Sequence, residues 1–148
     1  MKSVSNYIDH TNLNQIAKNL DVEKLCKEAI DNNFAAVCIN PVYVPLASDI
    51  LNGEAPRVCT VVGFPIGADS TEMKFAESRY LIHQGAEELD MVINIAAIKE
   101  KDIALVKNEI VKIVDAADGN CVKVIIETCL LTDDEIKLAS EIAMDAEA

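Results

Sequence analysis

Four short runs along the chain are apolar at almost every position: residues 35–40, 58–64, 89–95 and 122–128. Runs without polar alternation are the pattern of parallel strands buried on both faces. Between them lie stretches of helical period. Val22, Leu25, Cys26, Ala29 and Ile30 recur at one helical face, with Asp21 placed as N-cap. Asp69 and Glu72 have capping-box spacing and open a helix to about Gln84, where Gly85 sits as a C′ glycine. Ile103, Val106, Ile110 and Ile113 or Val114 mark another helix, and Thr132 with Glu135 cap a last one through Ile136, Leu138, Ala139 and Ile142. Strand and helix in alternation predict a parallel α/β architecture. No linker or low-complexity stretch interrupts it, so residues 1–148 are expected to form a single domain.

Two architectures use this grammar. A flavodoxin-like open sheet is complete at about this length, whereas a (β/α)8 barrel needs roughly 250 residues. The last helix runs into Asp-Ala-Glu-Ala with no glycine, proline or further strand. On length alone the open sheet is favoured; the unpunctuated end speaks against a complete sheet, as in a barrel that stops before closure, though a natural terminal helix can end in this way.

Composition narrows the function classes. Hydrophobic residues make up 51% of the 148 and aromatic ones 4%, so the core is aliphatic and the chain is not disordered. A net charge of -12 argues against nucleic acid or an anionic membrane as partner, since both need a basic face. Five cysteines, Cys26, Cys38, Cys59, Cys121 and Cys129, form no C-x-x-C pair, and with His10 and His83 as the two histidines no zinc spacing arises. Reduced thiols, no metal, no cofactor and a cytoplasmic location are the expectations. No signal core or spanning segment is read in the sequence.

The chemistry lies in charges placed within apolar strands. Asp90 falls inside Leu-Asp-Met-Val-Ile-Asn and Lys123 inside Val-Lys-Val-Ile-Ile-Glu. By strand parity Asp90, Val92 and Asn94 share one face, as do Lys123, Ile125 and Glu127. On neighbouring strands the acid and the amine meet, either as a structural ion pair or as groups that move protons or attack a carbonyl. The turn Gly63-Phe-Pro-Ile-Gly67 matches neither phosphate-binding glycine spacing and reads as a sharp βα connection. His10 and His83 have no nucleophile partner in sequence and read as structural.

Five segments in order change the reading. Ile8-Asp-His-Thr-Asn-Leu13, Ala36-Val-Cys-Ile-Asn-Pro41, Thr60-Val-Val-Gly-Phe-Pro-Ile-Gly67, Gly85-Ala-Glu-Glu-Leu-Asp-Met-Val-Ile-Asn94 and Val122-Lys-Val-Ile-Ile-Glu-Thr128 together resemble deoxyribose-phosphate aldolase. The resemblance implies a class I aldolase on a (β/α)8 barrel, cleaving 2-deoxy-D-ribose 5-phosphate reversibly to glyceraldehyde 3-phosphate and acetaldehyde without metal. It implies that Asp90 transfers protons and that Lys123 supports the centre electrostatically. Asp9, Thr11 and Cys38 resemble residues lining the substrate end of the pocket. Ile8–Thr11 becomes a first strand, so five of eight strands are expected.

The family's Schiff-base lysine belongs to a sixth strand, in a pattern like Lys-Thr-Ser-Thr-Gly that the 148 residues do not contain. Glu147 stands where the family has a glycine leading into that strand. The expectation is an N-terminal part of such an aldolase, a truncated barrel with little activity alone. Its partners would be a phosphorylated sugar or aldehyde, and a second copy or a C-terminal piece covering the open edges. A non-catalytic, partner-binding fragment is the alternative, and an open-sheet binding module a further one.

Overall fold

The computed structural model describes residues 3–148. Five strands alternate with helices along the chain: β1 (Asp9–Asn12), α1 (Asn19–Asn32), β2 (Ala36–Ile39), α2 (Val44–Leu51), β3 (Arg57–Val62), α3 (Thr71–His83), β4 (Glu88–Val92), α4 (Ile95–Glu100), α5 (Ile103–Ala116), β5 (Cys121–Ile125) and α6 (Asp133–Asp145). Among the described residues no helix is long and apolar enough to cross a membrane. The chain clusters into two compact units, one of residues up to Val61 with Leu81–Glu88, the other of Val62–Tyr80 with Leu89–Ala148.

In the first unit β1, β2 and β3 pair in parallel, with Thr11 opposite Cys38 and Cys38 opposite Cys59. All four residues of β2 are buried, as the uninterrupted apolar run requires. Val37, Ile39, Val58 and Thr60 alternate with Ala36, Cys38 and Cys59, and the Thr60 hydroxyl is satisfied by donating to the Ile39 carbonyl at 2.8 Å. Val22, Leu25, Cys26 and Ala29 form the buried stripe of α1. Burial pushes the Cys26 thiol up to about 11.

Helix α1 begins three residues earlier than its hydrophobic stripe suggests. Lys18 occupies the N-cap, and Asp21 lies three residues on, its carboxylate accepting the Lys18 amide at 2.8 Å. Asp21 therefore serves the helix start from inside the first turn. Helix α2 goes beyond the elements expected from sequence, since Pro45 in a short run gives no periodic signal. Gly85 does close α3: at φ 104° its amide donates to Ile82, and the Ala86 amide reaches Leu81 at 3.0 Å.

In the second unit β4 lies beside β5, and the Ile93 amide donates to the Ile125 carbonyl at 3.1 Å. Leu89, Met91, Val92, Val106, Ile110, Ile113, Ala139 and Ile142 make its apolar core. The start of α3 is capped by Ser70, whose hydroxyl accepts the Met73 amide, rather than by the Asp69–Glu72 box; Glu72 instead reaches Lys112 at 3.5 Å. The α6 capping box forms as its spacing demands, Thr132 and Glu135 each accepting the other's amide. Strand β5 differs from the other apolar runs in being half-exposed from Lys123 to Ile125. Among the described residues it has β4 as its one strand neighbour.

Candidate functional site

Strand β4 carries two acidic residues of the same parity, Glu88 and Asp90. Leu89 and Met91 point to one face and are fully buried, so Asp90 takes the other face, with its side chain 18% exposed. On β5 the same parity places Lys123 between Val122 and Val124. Because the two strands are neighbours, the Lys123 Nζ comes to 3.0 Å from Asp90 Oδ1. The pair is partly shielded from water, which strengthens the attraction relative to a surface pair. Chemically it is a carboxylate able to give or take a proton, held beside a fixed cation.

The strand faces are shorter than parity over the whole apolar runs suggests. Strand β4 ends at Val92, and Asn94 turns out of it to cap α4, its Oδ1 accepting the Ala97 amide at 3.1 Å. Strand β5 ends at Ile125, and Glu127 adopts a left-handed conformation at φ 53°. A helix start and a 3-10 turn directly after the strands pull both residues out of register.

Asp9, Thr11 and Cys38 fall in the other unit. Thr11 is exposed, its hydroxyl donating to the Asp9 carbonyl at 2.9 Å. Cys38 is 3% exposed and packs with Ala36, Cys59 and Val61 under Leu13. Asp9 is half-buried at the start of β1. Its carboxylate, the Cys59 thiol and the Glu88 carboxylate lie within 4.8 Å of one another, a mixed set of two hard oxygen donors and one soft sulfur donor that could hold a metal ion. Arg57 brings a positive charge to that cluster, Nη1 lying 3.3 Å from Glu88 Oε1.

His10 is bound by Glu28 at 2.8 Å and stacks near Phe34, a structural role. Its hydrogen bond holds the Glu28 carboxyl below the ordinary range. The turn after β3 closes on itself through Gly67 N–H to Gly63 O at 2.8 Å, and the Gly63 amide is taken by Glu77 at 2.9 Å. That amide faces a carboxylate, which makes the turn a poor anion cradle.

Sequence reasoning missed the most buried charges of the second unit. Lys74 and Glu109, 0% and 1% exposed, pair at 2.7 Å. No local pattern marks them: on α3 Thr71, Lys74 and Ser78 are buried while Met73 and Tyr80 are exposed, the reverse of the order that hydropathy favours.

A family model described as DeoC/LacD family aldolase matches residues 3–148. A curated relative from Clostridium perfringens (strain SM101 / Type A), described as deoxyribose-phosphate aldolase, is 51% identical over 148 residues, which cover 99% of this chain and 66% of the relative. The chain thus spans just under two thirds of that relative's length. Among solved structures, QR15, an aldolase, superposes with a TM-score of 0.94 at 36% identity, covering 100% of this chain and 66% of the other. A deoxyribose phosphate aldolase from Aeropyrum pernix, described as having a unique tetrameric structure, gives 0.88 at 32% identity over 97% of this chain and 61% of the other.

Proposed function

Because the chain belongs to the DeoC/LacD aldolase family, we propose that it carries the acid–base part of a Schiff-base aldolase site for 2-deoxy-D-ribose 5-phosphate. The observation that carries this reading is the Asp90–Lys123 contact at 3.0 Å on adjacent strands.

In the reaction a lysine amine condenses with the C1 aldehyde and water leaves. The C3 hydroxyl then gives up its proton, the C2–C3 bond breaks, and its electron pair flows into the iminium. Glyceraldehyde 3-phosphate departs, and the remaining enamine is protonated at C2 and hydrolysed to acetaldehyde. Asp90 is the group that carries these protons. The Lys123 cation beside it stabilises the negative charge that develops there. Asp9, Thr11 and Cys38 are proposed to line the substrate end. The substrate is a small phosphorylated sugar or aldehyde, no metal or cofactor takes part, and the location is cytoplasmic.

The imine-forming lysine that the family resemblance places on a sixth strand is not among these 148 residues. Without that electron sink the C2–C3 bond is not cleaved, so the 148-residue chain has little or no aldolase activity. Incubation with substrate and borohydride, followed by intact mass, is expected to show no adduct. A substrate adduct on Lys123 would overturn this reading and make Lys123 the nucleophile. A self-associating, non-catalytic role is the second reading, favoured by β5 having one strand neighbour among the described residues.

A further inference from the structure

Lys74 sits where three segments of the second unit converge. Its ammonium donates to Glu109 Oε1 at 2.7 Å and to the Val92 carbonyl at 2.9 Å. Glu109 receives a second donor, the Thr71 hydroxyl, at 3.2 Å. The stem of Lys74 passes over Gly63, where a Cβ would lie 2.9 Å from Lys74 Cε, and Gly63 has φ 62°. Nearby, Gly67 seats the same turn against the end of β4, where a Cβ would lie 2.3 Å from the Ile93 carbonyl oxygen. The turn after β3, the helix pair α3 and α5, and the last residue of β4 are thus tied through one cation.

Such a tie is costly. An ammonium and a carboxylate removed completely from water lose more hydration than their attraction restores, and apolar residues of similar volume commonly serve stability as well or better. What an apolar replacement cannot do is hold a carbonyl. Val92 is the position two residues beyond Asp90 on the same strand face, and its carbonyl is the atom held.

We propose that Lys74 is a positioning residue: through Val92 it fixes the end of β4 so that Asp90 stands at contact distance from Lys123. This rests on the reading of the Asp90–Lys123 pair as the acid–base centre.

The test reads the Asp90–Lys123 coupling in the full 148-residue chain. An amine held beside a carboxylate stays protonated and acylates slowly, because only its uncharged form reacts. Lys123 acetylation by acetic anhydride, followed by peptide mass spectrometry, is compared with and without Asp90→Asn. In the parent chain the substitution is expected to speed labelling by roughly threefold, as for a partly exposed ion pair.

In a Lys74→Met/Glu109→Leu background, which fills the site with apolar volume, the ratio is expected to fall toward one. Lys74→Met/Glu109→Gln, which also removes the hydrogen bond to the Val92 carbonyl but keeps an oxygen at position 109 to accept from the Thr71 hydroxyl, is the milder variant with the same expected ratio, and keeps the test decisive should the first double variant fail to fold. A global loss of stability would alter labelling of many lysines but would not cancel its dependence on Asp90. A parent-like ratio in whichever double variant folds overturns the positioning role and leaves the proposed function standing. No Asp90 dependence in the parent chain overturns both.

Discussion

Asp90 and Lys123 show how a single polar residue inside an apolar run announces itself. A charge flanked on both sides by buried aliphatics must turn to the opposite face, and strand parity states which one. Lys74 and Glu109 give no such sign, because a helix carries charges at most positions and their burial depends on which helices pack together. Glu77 belongs with them at this scale. Burial raises its carboxyl above the ordinary range, against the smaller opposing effect of the Gly63 amide. The folded chain therefore holds that proton more tightly than the unfolded one. Stability is fully present below the unfolded value and declines as pH climbs through the raised one. Glu77→Gln keeps an oxygen to accept the Gly63 amide, and is expected to be neutral or stabilising by up to about 1 kcal/mol at pH 7. The advantage should vanish below about pH 4, where Glu77 is protonated in both states. Urea midpoints at the two pH values check this, and a variant that gains stability on acidification relative to the parent would contradict it.

Elements were legible where the local code is strong and blurred where two codes compete. The α6 capping box was readable because Thr132 and Glu135 satisfy each other without help from the rest of the fold. Thr132→Ala removes one half of that exchange and is expected to cost about 1 kcal/mol, read as a lower urea midpoint with an unchanged slope. A change within experimental error would show that packing of Ala139 and Ile142 alone sets the helix start. At α3 the choice was between Asp69 and Ser70, adjacent residues with equal capping chemistry, and the hydroxyl of Ser70 is the one aimed at Met73. Strand ends shortened for a similar reason. Ile93 continues the apolar pattern of β4, yet Asn94 after it is a good N-cap, and α4 claims it.

For the whole molecule, net charge and exposed apolar surface pull in opposite directions. The first unit leaves Ile16, Leu20 and Val42 exposed, and the second leaves Ile66, Met73 and Tyr80 exposed. Surfaces of that kind favour association, whereas a net charge of -12 repels a second copy. Self-association is therefore expected to strengthen with ionic strength as the repulsion is screened over a Debye length of about 10 Å at 0.1 M. Sedimentation velocity at low and high salt tests this, and a monomer at both would count against the self-associating reading. The amino-acid order by itself determined the βα alternation, four apolar strand runs and the presence of an acid and an amine within two of them, because period and parity are local properties of the chain; the short polar first strand and the family came from the resemblance of five segments. Only the tertiary structure decided that the acid and amine lie 3.0 Å apart and that a second, fully buried pair ties the end of β4 to α3 and α5. Distances between side chains far apart in sequence depend on strand order and helix packing, and no local pattern carries them.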